Sequence, residues 1–599
     1  MLLSSEINLL SLKTFRALRV FSFTLAIVLL GVVSSFADAA SDRTQWFRDA
    51  KFGLFMHWGL YSQIGNEWKG KSYYGSGEWI MNRAKIPVSE YDQVAKEFNP
   101  TNFDAHAWAQ FTREAGARYL VITAKHHEGF AMYGSKVSPF NIVDATHYGR
   151  DPMKDLAAAC REEGIKFGFY YSQFLDWHET NGGGNKWDFV ETNKNYRAYY
   201  NEKSIPQIRE LLSNYGPLGL LWFDMPGGLS RDETVSFMDE VRRLQPQCLI
   251  SSRVGNGFGD FRDLGDSELP PGVIDGAWEA LFTHNDSWGF VKSDMNFKTP
   301  REILHLLAAT SARGGNLILN VGPDGTGRIP EYSLNYLREV GRWLAANGES
   351  IYGTTHSPIP DQPWGVAALK PGRLYLHIFD RPLDGLLLVP GFNAKLKRVS
   401  LLGEKHPLHT SQNGQDLRIT LPSKLPDARD SVVQIEFTGE LRDSWSNAPA
   451  IISRQFDLFS LDAAKARTTG NTTLTSITHS RYFGNWKHDV CAQKMQTPAD
   501  RVEFSLRFIE PGDYRVSLEY FCPNSSKGRD GIVKIGDQSI GFQSLPTGEY
   551  DSHEPLMLIR PSVGIVSIKT PGIIPVVVCP ANKGVELFWL RHLIIEPAR

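Results

Sequence analysis

The run LGLLWFDMPG, residues 218–227, ends an apolar segment in a single carboxylate, Asp224, with Pro-Gly turn chemistry directly behind it. A buried carboxylate without partners costs several kcal/mol or takes up a proton, so Asp224 needs an ion partner or a reaction to serve. Polar and ionisable residues stand at the ends of other apolar runs as well: His57, His126 with His127, Tyr171 with Ser172, and Arg253. His57, Glu78, His126, His127 and Arg253 offer hydrogen bonds, while Phe55, Trp58, Tyr171, Trp222 and Phe290 offer flat apolar faces. That mixture suits a sugar, which carries hydroxyls on its edge and C–H patches on its faces, and a deoxy sugar with an exposed methyl especially.

Hydrolysis of a glycosidic bond needs a pair of carboxyl groups, one as nucleophile or base and one as acid. Asp224 is the first candidate. The segment GDFRDLGDSELPPGVIDGAWEALFTHNDSWGF offers Asp263, Asp266, Glu268, Asp275 and Glu279 as the second, and spacing alone does not rank them. Other chemistries fare worse. The His126-His127 pair invites a metal, but adjacent strand residues point to opposite faces and no HExxH-type cluster accompanies them, so neither metal nor cofactor is expected. GxSxG is absent, and NVGPDGTGRIP lacks the GK[ST] ending of a phosphate loop.

The elements that must carry these residues are regular. Between about residues 45 and 350, the runs FGLFMHWG, YLVITAKHH, FGFYYS, LGLLWFD, CLISSR, AWEALF and NLILNVG alternate with amphipathic segments such as AHAWAQFTREAGA, DPMKDLAAACREEG and TPREILHLLAATSARGG. Buried strands alternating with capped helices imply a parallel sheet, and seven or eight such units favour a (β/α)8-type barrel over an open doubly wound sheet. A barrel gathers the strand ends around one mouth, which places Asp224 on the rim of a shared pocket. After Tyr352 short alternating strands predict an antiparallel β-sandwich over 353–440, a linker over 441–459 and a further β module over 460–599.

Composition narrows the rest. With 599 residues, 42% hydrophobic, 22% charged and a formal charge of −2, the chain reads as a multidomain globular protein with no electrostatic footprint for nucleic acid. Lys13, Arg16 and Arg19 precede VFSFTLAIVLLGVVSSF and Ala37-Asp38-Ala39, the pattern of a signal peptide over 1–40, with an uncleaved anchor as the alternative. Export to the periplasm or the extracellular space follows, with no stable membrane insertion afterwards. Cys160 and Cys248 read as buried thiols, and one bridge among Cys491, Cys522 and Cys579 stays open.

Taken in order, KFGLFMHWG, GEWIMNR, ITAKHHEGF, FGFYYS, LLWFD and the WE followed by SWGF resemble the α-L-fucosidases of glycoside hydrolase family 29 over roughly residues 45–440. The resemblance implies a (β/α)8 barrel followed by a β-sandwich, and a retaining exo-hydrolysis of terminal α-L-fucose from glycans. By position it makes Asp224 the nucleophile and gives sugar contacts to His57, Glu78, Trp79, His126, His127, Tyr171 and Arg253. Phe55, Tyr171, Trp222 and Phe290 would wall the C5 methyl. The family acid, a Glu in many members, falls here on Asp266, with Glu268 and Glu279 as alternatives. An Asp is one methylene shorter, so its loop must come closer to the leaving oxygen. The C-terminal module lies outside this resemblance and reads as a carbohydrate-binding sandwich or a structural cap, with Trp486 and Trp589 as candidate sugar platforms. Two other functions fit the same pocket: a fucose-binding protein without turnover, and a glycosidase for α-L-galactose.

Overall fold

The computed structural model describes residues 43–414, 416–445, 448–479, 487–549 and 557–598. The segment read as a signal peptide and Trp486 lie outside the described residues. Residues 48–599 form one unit, and no described helix is long and apolar enough to cross a membrane.

Eight parallel strands make the catalytic-type barrel: β1 Phe52–Met56, β2 Tyr119–Lys125, β3 Lys166–Ser172, β4 Leu220–Asp224, β5 Leu249–Ile250, β6 Arg262–Asp266, β7 Trp278–Thr283 and β8 Asn316–Val321. Their order in the sheet is β5-β4-β3-β2-β1-β8-β7-β6, so chain neighbours are sheet neighbours. The ring closes between β5 and β6 through a single parallel bridge, Ser251 to Phe261. The Asp260 side chain reinforces that seam by accepting from the Ile250 N–H at 2.8 Å. β1, β2, β4, β7 and β8 are buried along their whole length, which explains why they read as near-continuous apolar runs.

The helices that accompany the strands include α1 Ala105–Glu114, α2 Pro152–Glu162, α3 Ile205–Asn214, α4 Arg231–Leu244, α5 Pro300–Ala312 and α6 Glu331–Asn347. Their starts follow from local chemistry. Asp104 and Asp151 accept from the first-turn N–H groups of α1 and α2, and Ser230/Glu233 and Thr299/Glu302 form full capping boxes on α4 and α5. Each such cap removes orphan donors and is worth about 1 kcal/mol. No long helix separates β5, β6 and β7. The sequence pattern shows seven strands rather than eight because β6, with residues RDLGD, is polar and only partly buried.

The sandwich has the predicted antiparallel form. Gly365–Lys370, Arg373–Ile378, Ser431–Thr438 and Lys395–Leu401 make one sheet, in that order, and Leu386–Val389, Asp416–Thr420 and Thr410–Asn413 make the other. The C-terminal module begins earlier than the patterning predicts. Ala450–Ile452, inside the stretch read as linker, pairs in parallel with Arg501–Phe508 of the module. Its two sheets order as Ala450–Ile452, Arg501–Phe508, Gly572–Pro580, Asp530–Ile535, Gln538–Gln543 and as Thr473–His479, Lys487–Gln493, Trp589–Pro597, Gly512–Phe521, Ser562–Ile568. The buried apolar residues of sandwich and module form one continuous cluster, from Ile359 and Leu376 to Leu518 and Ile595. All five cysteines are buried and free, so none of Cys491, Cys522 and Cys579 is bridged.

Candidate active site

Strand ends of the barrel converge on a cavity of about 300 Å³ lined by Phe55, His57, Glu78, Trp79, His126, His127, Tyr170, Trp222, Asp224, Arg253, Asp266 and Trp288, with Ser76, Arg83, Met225 and Leu281 completing the wall. Asp224 closes β4 at its carboxyl end. Its Oδ2 accepts the Tyr170 hydroxyl at 2.8 Å and its Oδ1 accepts Arg253 Nη1 at 3.2 Å. The other arm of the same guanidinium, Nη2, donates to Asp266 Oδ1 at 2.6 Å and to the Leu264 carbonyl at 3.0 Å. Since one planar fork donates to both carboxylates, their facing oxygens are held within about 8 Å of each other. Burial opposes the Arg253 charge, but Asp266 and Asp224 outweigh it and hold the guanidinium above its ordinary pKa. The cation lies 4.9 Å from the centre of the Trp222 ring.

Both aspartates are followed by a non-glycine residue in the left-handed region, Met225 at φ 52 and Ser267 at φ 60. Such backbone is costly for a residue with a Cβ and clusters at functional sites. Here it turns the chain away sharply just after each carboxylate.

Three histidines form the opposite wall. Asn320 donates its Nδ2 to the Trp288 carbonyl at 2.7 Å, which leaves its Oδ1 to accept from His57 Nδ1 at 2.7 Å. The Ser172 hydroxyl donates to the Leu175 carbonyl at 2.9 Å and therefore accepts from His127 Nδ1, also at 2.7 Å. Both imidazoles thus carry their proton on Nδ1 and keep Nε2 as an acceptor; His127 Nε2 stands 3.7 Å from Asp224 Oδ2. His126 stacks on Tyr170 with centroids 5.2 Å apart, and its buried Nδ1 has no hydrogen-bond partner among the described residues. Burial lowers His57 to about 4 and His127 to about 3, and lowers His126 well below the ordinary value. The trio is neutral at any ordinary working pH. Glu78 Oε2 accepts from the Ser76 hydroxyl at 2.6 Å and the Gly289 N–H at 2.7 Å, while burial raises its pKa.

The remaining acidic candidates lie elsewhere. Glu279 is fully buried beneath the floor, accepting from Trp222 Nε1 at 2.7 Å and the Tyr119 hydroxyl at 2.9 Å. Burial and the neighbouring Asp263 raise it well above the carboxylate range, and burial raises Asp263 to about 6. Glu268 folds back onto the Gly265 N–H at 2.8 Å, and Asp275 is exposed. Among the described residues no group of three His, Cys, Asp or Glu is placed to hold a metal ion.

Three expected wall residues are displaced. Tyr171 turns outward and donates to Gln207 Oε1 of α3 at 2.8 Å, leaving Tyr170 inside. The strand register shows why: Tyr170 pairs with Trp222 and Ser172 with Asp224, so residues of that parity face the cavity, and Tyr171 does not. Trp58 likewise points away, stacked on Phe103 with its Nε1 donating to the Asp324 carbonyl at 3.0 Å. Phe290 lies outside the lining, and Trp288 of the same SWGF stretch takes that wall. Arithmetic of strand parity could have selected Tyr170; the loop position of Trp288 leaves no such signal.

A family model described as alpha-L-fucosidase matches residues 34–349. The chain belongs to the α-L-fucosidase family. The tissue α-L-fucosidase of Rattus norvegicus is 31% identical over 420 residues, covering 64% of this chain and 86% of that one. The plasma α-L-fucosidase of Homo sapiens is 31% identical over 412 residues, covering 63% and 85%. Among solved structures, the α-L-fucosidase of Vibrio sp. strain EJY3 superimposes with a TM-score of 0.73 at 28% identity, over 93% of this chain and 98% of its own. Isoenzyme 1 of Paenibacillus thiaminolyticus gives 0.62 at 33% identity, over 67% of this chain and all (100%) of its own. The Vibrio match extends the likeness beyond the barrel and sandwich into the C-terminal module. This enzyme is thus an α-L-fucosidase of glycoside hydrolase family 29, with a (β/α)8 barrel.

The register difference gives a direct test. Tyr170→Phe removes a hydrogen bond to a charged acceptor and is expected to lower kcat/KM by about 10- to 100-fold, whereas Tyr171→Phe costs about 1 kcal/mol of stability and leaves kcat/KM within about twofold; the opposite ranking contradicts the placement. The histidines give another. Because their pKa values are lowered, protonation waits until pH falls towards about 4. In enzyme labelled with 15N-histidine, the His57 and His127 ring signals should show the neutral Nδ1–H tautomer down to about pH 5; a midpoint near the ordinary value, about 6.5, would refute this.

Proposed function

We propose that the enzyme is an exported, retaining exo-α-L-fucosidase working by double displacement, with Asp224 as nucleophile and Asp266 as acid/base. The observation that carries this reading is the shared Arg253: one cation aligns two carboxylates across a cavity of sugar size, and the other acidic candidates face away from it. Retention places the two carboxyl groups about 5 Å apart and inversion about 6.5–9.5 Å; a bound of about 8 Å admits both, and the retaining course rests on the resemblance to family 29.

In the first step an Asp224 oxygen attacks C1 of the fucosyl ring while the bond to the aglycone oxygen breaks and Asp266 gives that oxygen its proton. The product is a β-linked fucosyl ester and a free glycan hydroxyl. Water then attacks C1 from the opposite face, loses a proton to Asp266, and releases the Asp224 carboxylate with α-L-fucose. The Tyr170 hydroxyl and Arg253 stabilise the Asp224 carboxylate and orient its free lone pairs. His57, His126 and His127 serve as neutral partners for sugar hydroxyls, along with Glu78. Phe55, Trp222, Leu281 and Trp288 supply the apolar side for the C5 methyl, whose burial is worth about 1 kcal/mol. A hydroxymethyl group set against that wall would strand its hydroxyl at a cost of about 1–3 kcal/mol, which favours fucose over α-L-galactose.

Azide separates the two roles. Asp224→Gly is expected to lose at least about 10³-fold in turnover and, with azide, to form the β-fucosyl azide; Asp266→Ala should give the α anomer. Equal anomers from both variants, or an active Asp224→Gly, would overturn the assignment. Export rests on the basic residues and apolar run ahead of Ala39. The mature chain recovered outside the cytoplasm should begin near residue 40, and an intact N-terminus retained inside the cell would rule export out.

A further inference from the structure

Of the barrel strands, β6 carries Asp266 on the weakest support. Its ladder with β7 breaks register between Asp263 and Asp266, and on the β5 side the one backbone bridge, Ser251–Phe261, is supplemented by the Asp263 N–H donating to Ser252 Oγ at 2.9 Å and by Arg253 donating to the Leu264 carbonyl at 3.0 Å. After that break backbone pairing holds Asp266 through one partner, Leu281, whose carbonyl accepts the Ser267 N–H at 2.8 Å, and the short aspartate arm tolerates less error than a glutamate would.

A further constraint comes from the C-terminal module. Its strand Lys487–Gln493 runs alongside β6. His488 Nδ1 donates to the backbone carbonyl of Asp266 at 3.3 Å. Its ring lies directly over Gly265, where an added Cβ would sit 2.7 Å from His488 Cγ and 2.5 Å from Glu268 Oε2. Only a glycine admits the imidazole this close. One residue earlier, Lys487 Nζ pairs with the buried Asp286, two positions before the wall residue Trp288. Adjacent side chains of one strand thus hold the acid loop and the loop that supplies the apolar wall. The strand is itself braced by the Asp489–Arg591 pair and by the apolar core that module and sandwich share.

We propose that the C-terminal module is part of the catalytic apparatus, and that His488 is a positioning residue which sets the reach of Asp266 towards the leaving-group oxygen. This rests on the reading of Asp266 as acid/base, and the test below separates the two. Proton donation matters most when the leaving group is a poor one, so misplacing the acid must penalise poor leaving groups selectively, whereas a general loosening of the fold penalises all substrates alike.

The experiment measures kcat/KM for 2,4-dinitrophenyl, 4-nitrophenyl and phenyl α-L-fucosides with the full-length enzyme and its His488→Ala, His488→Asn, Gly265→Ala and Asp266→Ala variants. His488→Ala and Gly265→Ala should lose about tenfold or more on the phenyl substrate and less than about twofold on the dinitrophenyl one, and His488→Asn, which retains a donor at the Nδ1 position, should recover most of the loss. If Asp266→Ala shows the steep leaving-group dependence while His488→Ala loses evenly or not at all, the positioning proposal is overturned and the acid/base reading stands. If Asp266→Ala itself lacks that dependence, both fall.

Discussion

Arg253 sets the geometry on which the rest of the site depends. Two carboxylates facing one small cavity repel, and without a cation between them the pair would splay apart. A lysine would supply the charge but not the planar fork that reaches Asp224 with one nitrogen and Asp266 with the other. The fork is held in place from beneath. Trp222 offers the guanidinium its face, and the indole is pinned in turn by Glu279, whose pKa burial and the neighbouring Asp263 raise. A polar column runs from the barrel centre to the reacting atoms, each member fixing the rotamer of the next.

Across the cavity the physics is different. Burial removes charge from His57, His126 and His127, and each fixed partner, Asn320 for His57 and Ser172 for His127, selects a tautomer. A neutral imidazole with a defined acceptor nitrogen discriminates hydroxyl positions without competing for the proton that Asp266 must deliver. The site therefore separates its labour by electrostatics: Asp224, Arg253 and Asp266 gather on the β4 to β6 side, and the three neutral imidazoles on the β1 and β2 side.

Much of this was legible in the sequence, for identifiable reasons. Strands buried on both faces leave unbroken apolar runs, and capped helices leave Asp, Ser, Thr and Pro at their starts, so barrel and sandwich follow from local chemistry. Asp224 and Arg253 stand out because a charge at the end of an apolar run has few structural explanations. The failures are equally physical. β6 is polar because its face meets the cavity and another module rather than the core, and polar residues do not announce a strand. Tyr170 and Tyr171 differ only in parity, which the paired register with β4 settles and a single strand leaves open. Trp288 and Phe290 sit in an irregular loop, where no period applies.

The C-terminal module shows most clearly what sequence patterning misses. A sandwich appended to a hydrolase reads naturally as a tethered binding unit, whose benefit is local concentration. That benefit does not depend on how firmly the module is joined, and the join is firm. Here Arg507 grips Asp416 with both guanidinium nitrogens, at 3.1 and 2.6 Å, and Lys465 reaches Asp361, which also pairs with Arg313 behind the barrel. Together with the shared apolar cluster, these contacts make sandwich and module one continuous body against the barrel. Displacing the module would expose that core and break the pairs at once, so its position is stiffly coupled to the barrel mouth. A rigid body in contact with the acid loop transmits its own placement to Asp266 whether or not it ever binds a sugar, and Trp589, tied to Glu586 at 3.0 Å, packs within it against Cys491 and Phe521.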